Sequence, residues 1–345
     1  MGTKLDEIMK SVNKQAKEDI MSLGLSDYAY RRIPFSSPRM NYCTFGGIPV
    51  GKITEFYGEE HGGKTTSALD IVANYQRMPD AREVLYVDAE NTLDVEWARK
   101  LGVDVDRLYI LQPKSQSAED IFQIICDAVD SGEVGLWVLD SIGVLVSQQE
   151  LDKTLADRTY GGISLSLTSF SKRIEMLMHR HHCTGIGINQ MREDMNSTWG
   201  GLKTPGGRGW KHVCAVRLQF SRGKFVDERG NELTRSAENP AGNIVLMSMT
   251  KNKTCPPTRR TGFYTLRYLT GIDYVKDTVD VAIKYGIVTK RGAWFGIVDT
   301  ESGEVLQDNI QGLPNLLDVL QTDETLWERV SELVKKQMEK DSGEF

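Results

Sequence analysis

Three features that would place a protein in a special class are missing from this sequence. Its five cysteines lie far apart without a C-x-x-C pair, and no signal peptide opens the chain, which predicts a reduced, cytoplasmic setting. No apolar run approaches the roughly 18 residues that a membrane span needs, so we expect a soluble protein. Basic residues are not in excess. The formal net charge is −6, so any contact with nucleic acid must come from local patches.

The length and composition favour a globular protein of more than one domain. The 345 residues suggest two or three domains, and 40% apolar residues are ample for a buried core. No internal repeat or low-complexity tract is present. Changes in pattern along the chain predict three units: an N-terminal segment, 1–32, a core, 33–276, and a small C-terminal domain with an acidic tail, 277–345.

One stretch matches a phosphate-binding template, G-x-x-x-x-G-K-[ST], whose glycines let backbone N–H groups turn inward around phosphate oxygens. The residues before it read as a strand, and residues 65–76 read as a helix, which is the context that the template requires. The alternative is a glycine-rich turn without a ligand. The predicted nucleotide-binding residues are Gly58, Glu59, Glu60, His61, Gly62, Gly63, Lys64, Thr65 and Thr66.

Short apolar runs alternate with helical patterns after Gly51, which predicts an α/β fold with a largely parallel sheet flanked by helices. The apolar runs are residues 84–88, 108–111, 136–140 and 185–189. Helical periodicity covers residues 118–129 and 163–179. An antiparallel extension of the sheet is predicted from the β-rich runs 213–220, 244–250 and 263–269.

Polar residues end several of these strands, where ligands bind in open α/β sheets. Asp140 is placed to hold magnesium beside the hydroxyl of Thr65, although a strand-ending aspartate can also be a plain helix cap. Glu90 follows the strand after the loop's helix and could deprotonate an attacking water, with Asp88 as the rival candidate. Gln190 could hydrogen-bond a γ-phosphate as a sensor.

Two loops are candidates for nucleic-acid contact. Residues 191–209 are rich in glycine, without clear periodicity, and too long for an idle connection, although a disordered surface loop is the alternative. Their cations and indole suit a contact that orders on binding, and residues 152–162 carry a weaker version of the same signal. The candidate DNA-binding residues are Arg158, Tyr160, Gly161, Arg192, Trp199, Lys203, Gly206, Gly207 and Arg208.

A positive cluster follows one of the late strands. Lys251, Lys253, Arg259 and Arg260 lie close together in a segment that two prolines stiffen. Such a cluster suits an anion, and an exposed turn is the alternative.

The two ends of the chain have helical patterns. Residues 4–22 carry apolar side chains at three- and four-residue intervals, which predicts an amphipathic helix that either folds back on its own domain or docks onto another protomer. Near the other end, we expect a compact unit after residue 278, a last helix over 325–338, and an acidic tail.

Together these motifs resemble the bacterial RecA recombinase family over most of the chain. The matching strings, in order, are residues 58–66, 86–90, 98–104, 138–141, 188–190, 251–253 and 292–294. The resemblance implies a RecA-type P-loop ATPase core with an N-terminal helix and a small C-terminal α+β domain. It also implies an ATP-dependent DNA recombinase that forms helical filaments on single-stranded DNA, pairs it with homologous duplex, and hydrolyses ATP in a DNA-dependent reaction with Mg²⁺.

The resemblance further implies roles for individual residues in the nucleotide site. Lys64 would contact the β- and γ-phosphates, while Thr65 and Asp140 would hold Mg²⁺. Glu90 would activate water, and Gln190 would report the γ-phosphate to the loop 191–209. In the family, that loop and the shorter one, here 154–164, bind DNA.

Other implied contacts concern the adenine and the neighbouring protomer. Asp94 and Trp97 match positions that contact the adenine, with an indole in place of the usual tyrosine, and stacking should survive that change. Lys251 and Lys253 match lysines that reach the ATP of the neighbouring protomer. Three features depart from the family pattern: the N-terminal segment, the loop from Met191 with Glu193, Asp194 and Trp199, and His212 where an apolar interface residue is common. These departures suggest a divergent member, from a bacterium or a phage, acting in the bacterial or host cytoplasm.

Two other functions remain open for the same core. One is a ring-forming DNA helicase or repair motor, which would translocate along DNA and would separate a forked duplex in a strand-displacement assay. The other is a nucleotide-switched filament mediator with negligible turnover. The paired lysines and the trailing small domain favour the recombinase over the motor, and Glu90 favours turnover over a switch.

Overall fold

The computed structural model describes residues 3–17, 21, 30–154, 162–193, 202–228, 230–234 and 236–343. The chain divides into two compact units, Met1–Tyr30 and Arg31–Phe345. In the first unit, helix α1 (Lys4–Ala16) begins at a capping box formed by Thr3 and Asp6, and none of its residues is buried. The helix ends earlier than the predicted residue 22 because Lys17 adopts the left-handed conformation, with φ at 56°.

The second unit contains the nucleotide-binding core. It opens with β1 (Arg32–Ile33), α2 (Pro38–Thr44) and β2 (Ile48–Pro49). The elements that come next are β3 (Ile53–Gly58), α3 (Lys64–Gln76), β4 (Glu83–Asp88), α4 (Val95–Lys100), β5 (Leu108–Leu111), α5 (Ala118–Asp130), β6 (Val134–Asp140), α6 (Gln148–Leu151), α7 (Ile163–His181), β7 (Thr184–Gln190), β8 (Arg192–Glu193), β9 (Leu202–Lys203), α8 (Gly207–Val213), β10 (Val216–Val226), β11 (Glu232–Leu233), β12 (Gly242–Asn252), β13 (Thr261–Arg267) and β14 (Gly271–Ile272).

The main sheet has ten strands in the part of the chain that the structure describes. Its order is β14-β13-β12-β10-β3-β7-β6-β4-β5, and β11 pairs with β10. The six strands from β10 to β5 are parallel, whereas β12, β13 and β14 extend the sheet in antiparallel fashion. The predicted parallel sheet and its antiparallel extension are therefore both confirmed.

The two faces of this sheet are covered by different helices. Along β6, Leu136 and Val138 pack into a cluster with α3, while Trp137 and Leu139 pack into a second cluster with α5 and α7. This alternation is what a strand buried on both faces requires, because successive side chains point to opposite sides. The sheet thus lies between two apolar layers.

A third apolar cluster belongs to the C-terminal elements, which confirms the small α+β unit. Its helices and strands are α9 (Tyr274–Lys284), β15 (Val288–Arg291), β16 (Trp294–Val298), β17 (Val305–Gln311), α10 (Leu313–Thr322) and α11 (Glu324–Gly343). Helix α11 runs past the predicted end at residue 338. Its extra turn is anchored because Asp341 accepts hydrogen bonds from Tyr285 (2.7 Å) and Arg259 (2.9 Å).

The loop that was expected over 191–209 is more ordered than its sequence suggested. Arg192 and Glu193 pair with Leu202 and Lys203 in a small antiparallel ladder, and α8 already begins at Gly207. The indole of Trp210 is fully buried in the cluster that contains α7. The prediction of an irregular stretch to residue 209 was therefore wrong at its C-terminal end, and residues 194–201 lie outside the described residues.

All five cysteines are free thiols. Burial raises the pKa of Cys43 and of Cys126 to about 11, and that of Cys183 to about 12, and it also raises the pKa of Cys214. Cys255 is the one cysteine that is only half-buried. No helix within the described ranges is both long and apolar enough to cross a membrane.

Candidate nucleotide and DNA sites

The loop between β3 and α3 has the backbone that the phosphate-binding template demands. Gly58 has φ at 153°, and a Cβ there would lie 1.9 Å from the carbonyl oxygen of Phe220, so no other residue fits. Gly63 is left-handed at φ 86°, and His61 takes a similar conformation at 56°. The glycines therefore allow a tight concave loop directly before the N-terminus of a 13-residue helix, which favours an anion.

Lys64 is buried and turns back into this loop. Its Nζ donates to the carbonyl oxygens of Glu59 (2.6 Å) and Gly58 (3.3 Å). Burial lowers the pKa of Lys64, against the attraction of nearby carboxylates, of which Asp140 and Glu90 contribute most. The ammonium thus lies between the phosphate-binding loop and an acidic group of side chains, where an anionic ligand would replace its carbonyl contacts.

Asp140 at the end of β6 meets the hydroxyl of Thr65. Thr65 Oγ1 and the phenol of Tyr86 each donate to Asp140 Oδ2 at 2.8 Å. Burial raises the pKa of Asp140 to about 6, even though these two hydrogen bonds stabilise its charged form. A carboxylate and a hydroxyl this close are the hard oxygen donors that suit Mg²⁺. Tyr86 was not predicted as a site residue, since its pattern was that of an ordinary buried strand residue.

Glu90 and Gln190 are brought together although they lie 100 positions apart. Gln190 Nε2 donates to Glu90 Oε1 at 2.9 Å, and Ser141 Oγ donates to the same oxygen at 2.5 Å. Both hydrogen bonds described for this carboxylate go to Oε1, which leaves Oε2 for a water molecule. Ser141 is fully buried and was missed from sequence, although its position directly after Asp140 was the available signal.

Asp88, the rival of Glu90, is occupied within its own chain. Its carboxylate accepts from the N–H groups of Thr92 (3.1 Å) and Leu93 (3.0 Å) and from the amide of Gln112 (3.0 Å). It is 2% exposed. These three donors fold the turn after β4, and that turn carries Glu90 to the strand end.

The two residues expected at the adenine lie at the start of α4. Asp94 is the N-cap of this helix and accepts from the N–H of Trp97 at 3.0 Å. Trp97 is half-buried and packs against the apolar cluster that contains α3. The structure therefore gives Asp94 a structural task, and it holds the indole in a fixed place with part of its surface exposed.

Lys251 and Lys253 both reach the C-terminus of α8. Lys251 Nζ donates to the carbonyl oxygens of Lys211 (2.6 Å) and His212 (3.0 Å), and Lys253 Nζ donates to that of His212 (3.1 Å). Cations at this end of a helix offset its partial negative charge. The pair that was expected to serve a neighbouring protomer is thus tied, within its own chain, to the helix that comes after the longer candidate DNA loop.

The longer loop can be described at both of its stems. Arg192 is exposed and donates to the carbonyl oxygen of Gly143 at 2.5 Å, and Lys203 and Arg208 are also exposed. Gly206 and Gly207 lie at the start of α8, where a Cβ on Gly206 would approach Leu167 to 2.5 Å. Gly206 thus has a packing role against α7. Trp199 lies outside the described residues.

The stems of the shorter loop are joined by one carboxylate. Glu119 at the start of α5 accepts from the N–H of Gln148 in α6 at 2.9 Å and from the hydroxyl of Ser166 in α7. It therefore connects the helices on either side of that loop. Arg158, Tyr160 and Gly161 lie outside the described residues.

Comparisons with known proteins show a strong similarity to one family. The family model described as the RecA N-terminal domain matches residues 3–273. Protein RecA of Aquifex pyrophilus is 32% identical over 344 residues, which cover 99% of this chain and 95% of the relative. Protein RecA of Aquifex aeolicus is 34% identical over 291 residues, covering 83% and 81%, and that of Ruminococcus albus is 32% identical over 320 residues, covering 92% and 77%.

Proposed function

Because this chain belongs to the RecA family of ATP-dependent DNA recombinases, we propose a role for each of its site residues. The family forms helical filaments on single-stranded DNA, pairs it with homologous duplex, and hydrolyses ATP in the presence of DNA and Mg²⁺. The site residues of this chain divide among those activities. The observation that carries the assignment is the meeting of Glu90, Gln190 and Ser141 beside the Thr65–Asp140 pair.

The phosphate-binding loop grips the triphosphate of ATP. Residues 58–66 surround the phosphates with backbone N–H groups, and Lys64 exchanges its carbonyl contacts for phosphate oxygens. Thr65 and Asp140 would hold Mg²⁺, which neutralises phosphate charge when bound. Asp94 and Trp97 flank the adenine, the first through a polar contact and the second through its ring.

Glu90 is the general base for hydrolysis. Its Oε2 takes a proton from the attacking water, while Ser141 holds the carboxylate in place through Oε1. Gln190 shares that oxygen, and a γ-phosphate competes for its amide. When Gln190 turns toward the γ-phosphate, Glu90 loses the hydrogen bond from this amide and keeps the one from Ser141. Sensor and base are thereby linked through a single oxygen atom.

Lys251 and Lys253 complete the nucleotide site of a neighbouring protomer. Their hydrogen bonds to carbonyl oxygens of α8 support this role, because they fix the ammonium groups without neutralising them. A cation supplied across an interface stabilises transition-state charge only when the filament has the right geometry. ATP then acts as part of the contact between protomers, and DNA controls hydrolysis by setting that contact.

Single-stranded DNA binds the two loops at 154–164 and 191–209. Arg192, Lys203 and Arg208 contact phosphates, in keeping with their exposure at the stems of the longer loop. Arg158, Tyr160, Gly161 and Trp199 supply further contacts and stacking rings, and Gly206 and Gly207 allow the chain to turn into α8.

The chain works as three parts: 1–32, 33–276 and 277–345. The first part mediates polymerisation. Support comes from α1, whose apolar residues Leu5 and Ile8 are 63% and 50% exposed, a face suited to docking onto a second copy of the chain. The last part has its own apolar cluster. We place the protein in the cytoplasm, either of its own bacterium or of a host if a phage encodes it.

The test of this function is ATP hydrolysis by the purified protein, with and without single-stranded DNA, across protein concentration, with electron micrographs of the same samples. DNA-stimulated turnover that rises cooperatively with protein concentration, in samples that contain helical filaments, is the expected result. Closed rings with stimulated turnover would favour a motor, and nucleotide binding without turnover would favour a filament mediator.

A further inference from the structure

A buried ionic network involves strand β7, which ends at the proposed sensor Gln190. None of the roles assigned above uses this network. At its centre is Glu55 on β3, three residues before Gly58, with no exposed surface. Glu55 pairs with the guanidinium of Arg217 on the neighbouring strand β10 and accepts from Asn189 Nδ2 on β7 at 3.0 Å. A carboxylate buried to this degree is costly unless it is paired, so these partners are held in fixed positions.

The same side chains reach the point where the longer candidate DNA loop returns to the core. Asn189 Nδ2 also donates to the carbonyl oxygen of Pro205 at 3.0 Å. Arg217 Nη2 donates to the hydroxyl of Thr204 at 3.3 Å, and Thr204 is 3% exposed. Thr204 and Pro205 are the first residues after strand β9, on the way to helix α8. The returning end of the loop is therefore attached to Asn189 on β7 and Arg217 on β10, and through these two side chains to Glu55 on the strand that carries the phosphate-binding loop.

Asn189 also contacts the sensor residue. Its Oδ1 accepts from the backbone N–H of Gln190 at 3.1 Å, so that every polar atom of this side chain is used. The side-chain amide of Asn189 thus joins Glu55 on β3, the backbone of Gln190 and the carbonyl group of Pro205. A movement of Gln190 and a movement of Pro205 must share this amide, which gives a physical connection between the two sites.

We propose that Glu55, Asn189 and Arg217 are positioning residues that anchor the returning end of the longer DNA loop to the nucleotide site. They touch neither ATP nor DNA. They hold Thr204 and Pro205 in the place from which Lys203 and Arg208 meet the phosphates of DNA, and so allow bound ATP to set the DNA affinity. The inference rests on the proposed DNA-binding role of residues 191–209.

The experiment compares Thr204→Val, which keeps the shape but removes the hydroxyl, with Thr204→Ser, which keeps the hydroxyl. Three quantities are measured in each variant: ATP affinity without DNA, the DNA-independent hydrolysis rate, and the concentration of single-stranded DNA that gives half-maximal stimulation. In Thr204→Val the half-maximal DNA concentration rises about tenfold, as for the loss of a hydrogen bond to a charged group, and the other two stay near wild type. Thr204→Ser restores it.

A second variant, Arg217→Lys, and a second measurement, trypsin cleavage, test the anchor independently of the DNA response of Thr204→Val. Arg217→Lys keeps a charge beside Glu55 but loses the fork that reaches Thr204, and it shifts the DNA concentration in the same direction. Without DNA, trypsin cleaves after Lys203 faster in Thr204→Val than in wild type, while cleavage after the distant Lys224 is unchanged.

Two outcomes overturn the anchor. One is a Thr204→Val variant whose DNA response and cleavage equal those of wild type. The other is a lower melting temperature with both hydrolysis rates reduced together, which would mean that the bond only maintains the fold. If wild type itself shows no DNA stimulation, the proposed function fails, and the cleavage experiment still decides whether the anchor exists.

Discussion

Two carboxylates at the end of β4, Asp88 and Glu90, differ in what surrounds them. Asp88 accepts two hydrogen bonds from the turn that follows it and one from Gln112, just after the neighbouring strand β5. In Glu90, by contrast, one carboxylate oxygen accepts from both Ser141 and Gln190. Sequence reasoning could place both at a strand end but could not rank them, because burial and partners depend on the folded turn. The surroundings favour Glu90 as the base and Asp88 as the residue that shapes the turn.

Changing each carboxylate to its amide should separate these roles. Glu90→Gln lowers the DNA-stimulated hydrolysis rate at least about 100-fold, because the base is lost, and ATP-dependent DNA binding is retained. Asp88→Asn is the matched control. This variant destabilises the fold by about 1–3 kcal/mol, because one oxygen that accepted hydrogen bonds is replaced by an NH₂ group, and its melting temperature is lower. Normal hydrolysis by Glu90→Gln would contradict the assignment.

Asp277 should make stability depend on pH. It is 1% exposed, and burial raises its pKa from 3.8 to about 8, against the hydrogen bond from Ser37 and the charge of Arg39. The folded state therefore keeps a proton that the unfolded state releases, so stability falls as pH rises from about 4 to 8, by at most about 1.4 kcal/mol per pH unit.

Asp277→Asn removes this dependence while keeping an acceptor for Ser37. In urea unfolding at pH 5.5, 6.5 and 7.5, we expect the variant to gain on wild type at each higher pH. A difference between the two proteins that does not change with pH would show that Asp277 is ionised in the folded state throughout this range.

At the scale of the elements, helix α8 lies between the longer candidate DNA loop and the lysine pair Lys251 and Lys253. Its N-terminus follows the longer candidate DNA loop at Gly206, and its C-terminal carbonyl oxygens accept hydrogen bonds from Lys251 and Lys253. The sequence concealed this helix among glycines, because its seven residues are too few for a clear period and Trp210 alone marks its buried side. Longer elements with regular apolar patterns, such as α7 and β6, were predicted correctly.

Mixing two inactive variants should test whether Lys251 acts across the interface. Lys251→Ala keeps Glu90 but lacks the lysine, and Glu90→Gln keeps the lysine but lacks the base. The hydrolysis rate of each variant alone is therefore reduced at least about 100-fold. In an equal mixture about a quarter of head-to-tail interfaces pair an intact Glu90 with an intact lysine, and about a quarter of the wild-type rate returns. A mixture as inactive as its parts would place the lysine in its own chain's site. Lys224→Ala, at an exposed salt bridge, serves as the neutral control.

At the scale of the whole molecule, the net charge of −6 means that DNA binding depends on a few cations. We expect the affinity for single-stranded DNA to fall steeply with salt, since each neutralised phosphate contributes about 0.7 to the slope of log affinity against log salt. Arg208→Gln should reduce that slope by about 0.7 per protomer, measured by fluorescence anisotropy. Lys224→Ala should not change it, and a flat salt profile in wild type would exclude these phosphate contacts.

The architecture was predictable from sequence because alternating apolar runs and the phosphate-loop template are local patterns. The contacts that complete the site were not. Tyr86 and Ser141 look like ordinary buried residues, and Lys251 meets α8 across 40 positions. Such pairs depend on how strands are ordered in the sheet, which a period within one element does not specify.

The contrast among the five cysteines supplies a built-in attachment point. Four thiols are buried with raised pKa values, whereas Cys255 is half-buried and lies two residues after Lys253. A maleimide dye added at neutral pH should therefore label Cys255 first, because the dye can reach this thiol, whereas burial keeps the other four covered and protonated. The wild-type chain could then carry a fluorophore beside Lys251 and Lys253, and energy transfer between labelled copies would report filament growth in real time.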